Sequence, residues 1–193
     1  MKKDKNKNRG FTLLEVMIVI AIVGIMSALV LINFNSTKNN ARVKASQREV
    51  ASAIKLAHSY ALQGKTQPRW DGEMVTPCGY GIYFIPASEG ENITRYRLFY
   101  NMPGGASCDD LNKLAKNRRF IEGESKTEEI QTLESGVYLR FSSGRQVYFT
   151  VPHGETYSGA GGALGSAVTM TVRIGSTEKT ITINPGGLVE ESD

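Results

Sequence analysis

A single carboxylate, Glu15, interrupts an apolar run from Phe11 to Ile32 in which Thr12 and Ser27 are the only other polar residues. About 20 helical residues cross the hydrocarbon core of a bilayer, so the run is long enough to span one. A carboxylate in that setting is costly until it meets a cation or a hydrogen-bond donor. Its chemistry is therefore ion pairing rather than proton transfer to a substrate. No other group of residues builds a catalytic constellation. His58 and His153 are the only histidines, and His58 reads as a surface or packed side chain. The glycine-rich stretch 154–167 lacks the Gly-Lys-Ser/Thr ending of a phosphate loop and reads as a mobile loop between strands. Asp109 and Asp110 lack calcium-loop spacing. No catalytic residue, metal or cofactor is expected.

Two further sets of residues remain. Cys78 and Cys108 are even in number and form no C-x-x-C pair, which disfavours zinc and dithiol redox chemistry. In an oxidising compartment they are expected to pair, tying the start of a sheet to a charged insert. Closing that loop stabilises a fold by about 3.5 kcal/mol on the chain-entropy account. Two unrelated buried thiols are the alternative. Lys113, Lys116, Arg118 and Arg119 lie beside Phe120 and have the makings of a nucleic-acid contact. Glu122, Glu124, Glu128 and Glu129 follow directly, so a solvated mixed-charge loop is the plainer reading.

Charge places the apolar run. Residues 1–10 carry Lys2, Lys3, Lys5, Lys7 and Arg9 against Asp4, and the remaining chain is neutral. A basic segment before an apolar one keeps the N-terminus cytoplasmic and sends the rest across. A secretory signal would be cut after its apolar core at a small-x-small site, and no good Ala-x-Ala follows Leu31. A plain anchor has no need of Glu15. A cut before the core, between Gly10 and Phe11, retains the core and makes Glu15 its fifth residue.

The stretch "RGFTLLEVMIVIAIVGIMSAL" resembles the class III signal of type IV prepilins and type II secretion pseudopilins over roughly the first 35 residues. The resemblance implies cleavage after Gly10 by a prepilin peptidase and methylation of the new amine on Phe11. It also implies that Glu15 helps recruit the subunit into a filament, where the Phe11 amine of a neighbour is a suitable partner. Many pilins carry proline near the end of this run. Ile32 stands there in this chain, leaving Gly24 as the helix weakener.

The elements that position these residues follow from periodicity. Val43, Val50, Ile54, Ala57 and Ala61 fall on one helical face, and Gly64 followed by Pro68 marks the helix end. A helix from Phe11 to about Gln63 is expected, on the order of 80 Å long. Short β-rich runs then appear at 79–85, 95–100, 136–141, 145–151, 167–174 and 179–183, with turns at 142–145 and 175–178. The expected fold is α+β: a long N-terminal helix, apolar then amphipathic, whose second half packs on an antiparallel sheet. Expected boundaries are a leader at 1–10, a membrane or filament-core helix at 11–35, its amphipathic half at 36–64 and a β-rich domain at 65–193.

The ending "KTITINPGGLVEES" and the hairpin "LRFSSGRQVYF" resemble GspH/FimT-type minor pseudopilins, which implies a short final strand after a glycine turn. The expected function is that of a structural pilus or pseudopilus subunit, held in the inner membrane before it joins a filament. Expected partners are other pilin subunits, the inner-membrane assembly platform, the prepilin peptidase and membrane lipid. The alternatives are a major pilin, a minor pilin that captures DNA through 113–119, and an anchored enzyme.

Overall fold

The structure, a computed structural model, describes residues 11–87, 92–103, 108, 118–142, 144–159 and 162–192, with the backbone alone over 29–35. The chain divides into two compact units, Met1–Asn39 and Asn40–Asp193. One helix, α1 (Leu13–Gln63, 51 residues), contributes to both.

In the first unit the helix opens on Thr12, whose Oγ1 accepts the Glu15 backbone N–H at 3.3 Å. Thr12-Leu13-Leu14-Glu15 thus has the sequence of a capping box, and Thr12 satisfies one of the donors a helix start leaves open. Ser27, the other hydroxyl of the apolar run, donates to the Val23 carbonyl at 2.7 Å. Both hydroxyls therefore turn onto the chain's own backbone. The helix runs without a break past Gly24 and Ile32.

In the second unit the predicted helical face is the buried one: Val43, Val50, Ile54, Ala57 and Ala61 are all 0% exposed. Gly64 stops the helix at φ +57°. Its N–H donates to the Ala61 carbonyl and the Lys65 N–H to the Tyr60 carbonyl. This pair of bonds is the Schellman closure, which needs a left-handed residue that glycine supplies without a Cβ penalty.

A small hairpin, β1 (Gln67–Pro68) with β2 (Met74–Val75), leads into the main sheet. That sheet contains β3 (Gly79–Pro86), β4 (Ile93–Asn101), β5 (Lys126–Thr127), β6 (Gln131–Thr132), β7 (Tyr138–Phe141), β8 (Gln146–Thr150), β9 (Thr156–Ser158), β10 (Gly162–Ala163), β11 (Val168–Ile174), β12 (Thr177–Ile183) and β13 (Val189–Ser192). Its order is β10-β9-β8-β3-β4-β7-β11-β12-β13, with β5 and β6 also paired to β4. Every pairing is antiparallel. The fold is thus the expected α+β arrangement. The predicted strands stand with small shifts at their ends. The glycine-rich stretch is no simple loop: β9 and β10 lie within it and extend the sheet beyond β8.

One face of the sheet meets the helix. Tyr80, Ile82, Phe84, Leu139, Phe149, Met170, Val172, Ile181 and Ile183 join the helix face in one core. Several buried polar groups there are paired. Gln47 donates to the carbonyls of Thr180 (2.8 Å) and Ser192 (2.9 Å), fastening the last two strands to the helix. Tyr96 donates to Glu49 at 2.8 Å and Tyr80 to the Lys65 carbonyl. Burial pushes the Tyr80 hydroxyl up to about 12.

The opposite face builds a second, aromatic layer of Phe99, Tyr148 and Tyr157 with Tyr83 and Phe120 against it. Two glycines make room for it. A Cβ at Gly81 would lie 2.6 Å from the Phe99 ring and one at Gly79 would lie 2.5 Å from Tyr148. Glycine inside a strand often marks such close approach.

Candidate functional site

The N-terminal unit presents the residues that the sequence singles out, Phe11 and Glu15. Phe11 is 81% exposed and Leu13 80%, and Ile20, Ile22, Ile25 and Met26 are exposed as well. Apolar side chains point outward on all sides of this helical half, where a surface helix would alternate with polar ones. Glu15 sits in the first turn. There the partial positive charge of the helix start favours a carboxylate by about 0.3–1 kcal/mol. Insertion of a charged side chain at a bilayer centre costs roughly 2.5–3.5 kcal/mol on insertion scales. The local device offsets only part of such a cost, and an external cation has the remainder to relieve. Gly10, on the leader side of the expected cut, lies outside the described residues.

Among the described residues no helix is long and apolar enough to cross a membrane. The last residues of the apolar run, 29–32, fall where the backbone alone is described.

The cysteines behave as expected: Cys78 and Cys108 form a disulfide with Cα atoms 5.4 Å apart. It pins the start of the insert beside β3. Beyond it, the insert is fixed by buried amides. Asn101 Nδ2 donates to the Arg119 carbonyl (2.9 Å) and Ser125 Oγ to Asn101 Oδ1 (2.6 Å). Gln146 Oε1 accepts the Phe120 N–H at 2.7 Å while its Nε2 donates to the Gly159 carbonyl at 2.6 Å. The charged side chains Glu122, Glu124, Glu128 and Glu129 are exposed, as a solvated mixed-charge segment requires, but 118–134 is not loop throughout. Phe120 is stacked on Tyr83 with ring centroids 4.4 Å apart, and β5 and β6 pair with β4.

The four basic residues proposed for nucleic acid are not brought together among the described residues. Lys113 and Lys116 lie outside them. Arg118 sits over the Tyr157 ring at 4.1 Å, and Arg119 lines a cavity with Tyr83, Phe120, Arg145 and Gln146. Sequence reasoning missed Arg97, whose guanidinium lies 4.2 Å from the Phe120 centroid. An outward residue of β4 carries no signal of a ring delivered from more than 20 positions away.

His58 is packed, its ring 4.9 Å from Phe149. A Cβ at Gly187 would come within 2.6 Å of it and one at Gly154 within 2.8 Å. Burial holds its pKa below the ordinary value. His153 is exposed in a turn. Among the described residues no cluster of His, Cys, Asp or Glu could hold a metal ion.

Residues 5–31 match the family described as the prokaryotic N-terminal methylation motif. The chain is also similar to the type II secretion system core protein G of Escherichia coli (strain K12), with 33% identity over 63 residues. That alignment covers 33% of this chain and 43% of the relative, so the match reaches less than half of that protein's length. No solved structure matches the chain.

Proposed function

We propose that this chain, a member of the type IV pilin and pseudopilin family, is a minor structural subunit of a pseudopilus or pilus, cut after Gly10 and assembled through its N-terminal helix. The observation that carries the reading is the motif at 5–31 heading a helix half that is apolar on every side and holds one carboxylate in its first turn. Phe11 becomes the mature N-terminus and its amine is methylated. The apolar run from Phe11 to Ile32 spans the inner membrane once, with the β-rich domain exported, until the subunit enters the filament. The assembly platform and the prepilin peptidase are the membrane partners. A disulfide suits an exported domain.

Glu15 selects the neighbour in this mechanism. Within the apolar surroundings of a filament core, its carboxylate pairs with the Phe11 amine of an adjacent chain. Only correct register brings the two together. Glu15→Leu inserts normally, is still cut after Gly10, and enters filaments poorly or not at all. Glu15→Asp keeps the charge with less reach and is intermediate. Sheared-filament yield, compared with the mature protein left in the membrane, measures the difference. Normal entry of Glu15→Leu would sink this role. Mass spectrometry of the mature protein reads the cut directly, and an intact Met1 terminus in peptidase-competent cells overturns the processing.

A further inference from the structure

His58 is approached by two turns at once. A Cβ at Gly154 would lie 2.8 Å from its Nε2, and one at Gly187 would lie 2.6 Å from the same atom. The ring therefore fills the space between two glycine α-carbons, with Phe149 against it at 4.9 Å between ring centroids. Gly154 takes φ +66° and Gly187 φ +80°, left-handed conformations that favour glycine. Each turn is closed by its own backbone. The Gly154 N–H donates to the Thr150 carbonyl (2.7 Å) and the Gly187 N–H to the Asn184 carbonyl (2.8 Å).

The two turns belong to distant parts of the sheet. Gly154 lies between β8 and β9, near one edge, and Gly187 between β12 and β13, at the other. Four strands stand between β8 and β12 in the sheet order. At about 4.8 Å from strand to strand, a flat sheet would hold the turns ~24 Å apart. One imidazole cannot bridge that distance. The sheet curls over the second half of the helix until both sides reach the same ring.

The position suits a neutral ring. His58 is half-buried, and among the described residues neither ring nitrogen is hydrogen-bonded and no carboxylate pairs with it. On the β8–β9 turn the charged groups are His153, which is exposed, and Glu155, which accepts the Tyr157 hydroxyl at 2.8 Å. The β12–β13 turn, 184–188, has no titratable side chain, and Glu190 beyond it accepts from Asn184 at 3.5 Å. On α1, Lys55 pairs with Glu191, and just past the helix end Lys65 lies 3.5 Å from the Tyr60 ring centroid. β8 faces it with Phe149. Burial disfavours the charged ring, so a proton binds more readily once the turns have parted.

We infer that His58 is a proton-operated clasp between the two sides of the curled sheet. Neutral, it holds the β8–β9 and β12–β13 turns together across the helix. Protonated, it leaves the gap, the turns part and the C-terminal strand β13 loosens. β13 is the part that yields, because it is only four residues long and is paired on one side, to β12. Its release uncovers the backbone edge of β12. The clasp needs only the folded domain and stands apart from the filament reading.

Amide hydrogen exchange of the full-length chain in detergent micelles tests it. Exchange is read by mass spectrometry at about pH 7.5 and about pH 5.5, with rates corrected for the intrinsic effect of pH on exchange. Protection of 184–192 is expected to fall by roughly threefold or more at the lower pH, with a smaller fall in 151–156 and none in 79–86. His58→Gln does not titrate and is expected to abolish the pH dependence, whatever its effect on the level of protection. His153→Gln is expected to retain it. Should His58→Gln fail to fold, the parent chain still decides. Equal protection of 184–192 at the two pH values overturns the clasp, and so does a fall shared equally by 79–86. A fall that persists in His58→Gln or vanishes in His153→Gln overturns it as well.

Discussion

The two halves of α1 are one helix with opposite habits. In the first, Leu13, Ile20, Ile22 and Ile25 stand at least half exposed, although they are among the most apolar residues of the chain. In the second, Val43, Val50, Ile54, Ala57 and Ala61 are fully buried although several are small. The contrast shows that burial follows pattern rather than greasiness. The second half confines its apolar residues to one stripe, and its own sheet covers that stripe. The first half is apolar all round, and no single sheet face can cover a cylinder. Among the described residues its own chain does not cover it.

Matched substitutions break this comparison most directly. Ile54→Ala is expected to destabilise the domain by about 2–5 kcal/mol in thermal or denaturant unfolding, the range for a large-to-small change in a packed core. Ile22→Ala, on the exposed half, is expected to leave domain unfolding within about 0.5 kcal/mol of the parent. Equal losses at the two sites would mean that both halves are packed by their own chain. The insert extends the comparison to the far face of the sheet. Cys78→Ser with Cys108→Ser removes a closed loop with a sequence separation of 30. A loss of about 3.5 kcal/mol is expected on the loop-entropy account. Because the bridge pins the insert, limited proteolysis should cut there first.

A smaller effect is expected at Gly81. Its Cβ would fall 2.6 Å from both the Phe99 ring and the Val147 carbonyl. Gly81→Ala overpacks the outer layer and should cost about 1–3 kcal/mol, as read by the urea midpoint. The smallest effect is that of His58. Its folded pKa is lowered by burial, so the unfolded chain binds the proton more readily. The stability it contributes is complete above the ordinary value of 6.5 and declines as pH falls through it. Melting curves between about pH 7.5 and about pH 5.5 should show this decline, and His58→Gln should flatten it.

Legibility followed the range of the interactions. The helix face, its Gly64 stop and the longer strands are written locally, in spacings of three and four or of two. The outer layer is not. In "GYGIYF" the outward positions of β3 begin with two glycines, which read as looseness until Phe99 and Tyr148 are seen lying over them. Arg119 and Phe120 are held through their backbone by Asn101 and Gln146, 18 and 26 positions away in sequence. Strands as short as β5 and β6 have no hydrophobic alternation to betray them. Glu15 was plain because a charge in an apolar run is conspicuous.

The way the helix is seated also decides how the C-terminal domain meets mechanical tension. A pull along the axis of α1 drags Val43, Val50, Ile54, Ala57 and Ala61 sideways across the sheet together, so the load is shared over the whole row. Peeling the helix away from one end would instead break those contacts one at a time. Gln47 and the Lys55–Glu191 pair fasten the final two strands to the same helix, so part of the load passes to them. Such an arrangement suits a domain loaded through its N-terminal helix, since resistance to force depends on how many contacts must fail at once.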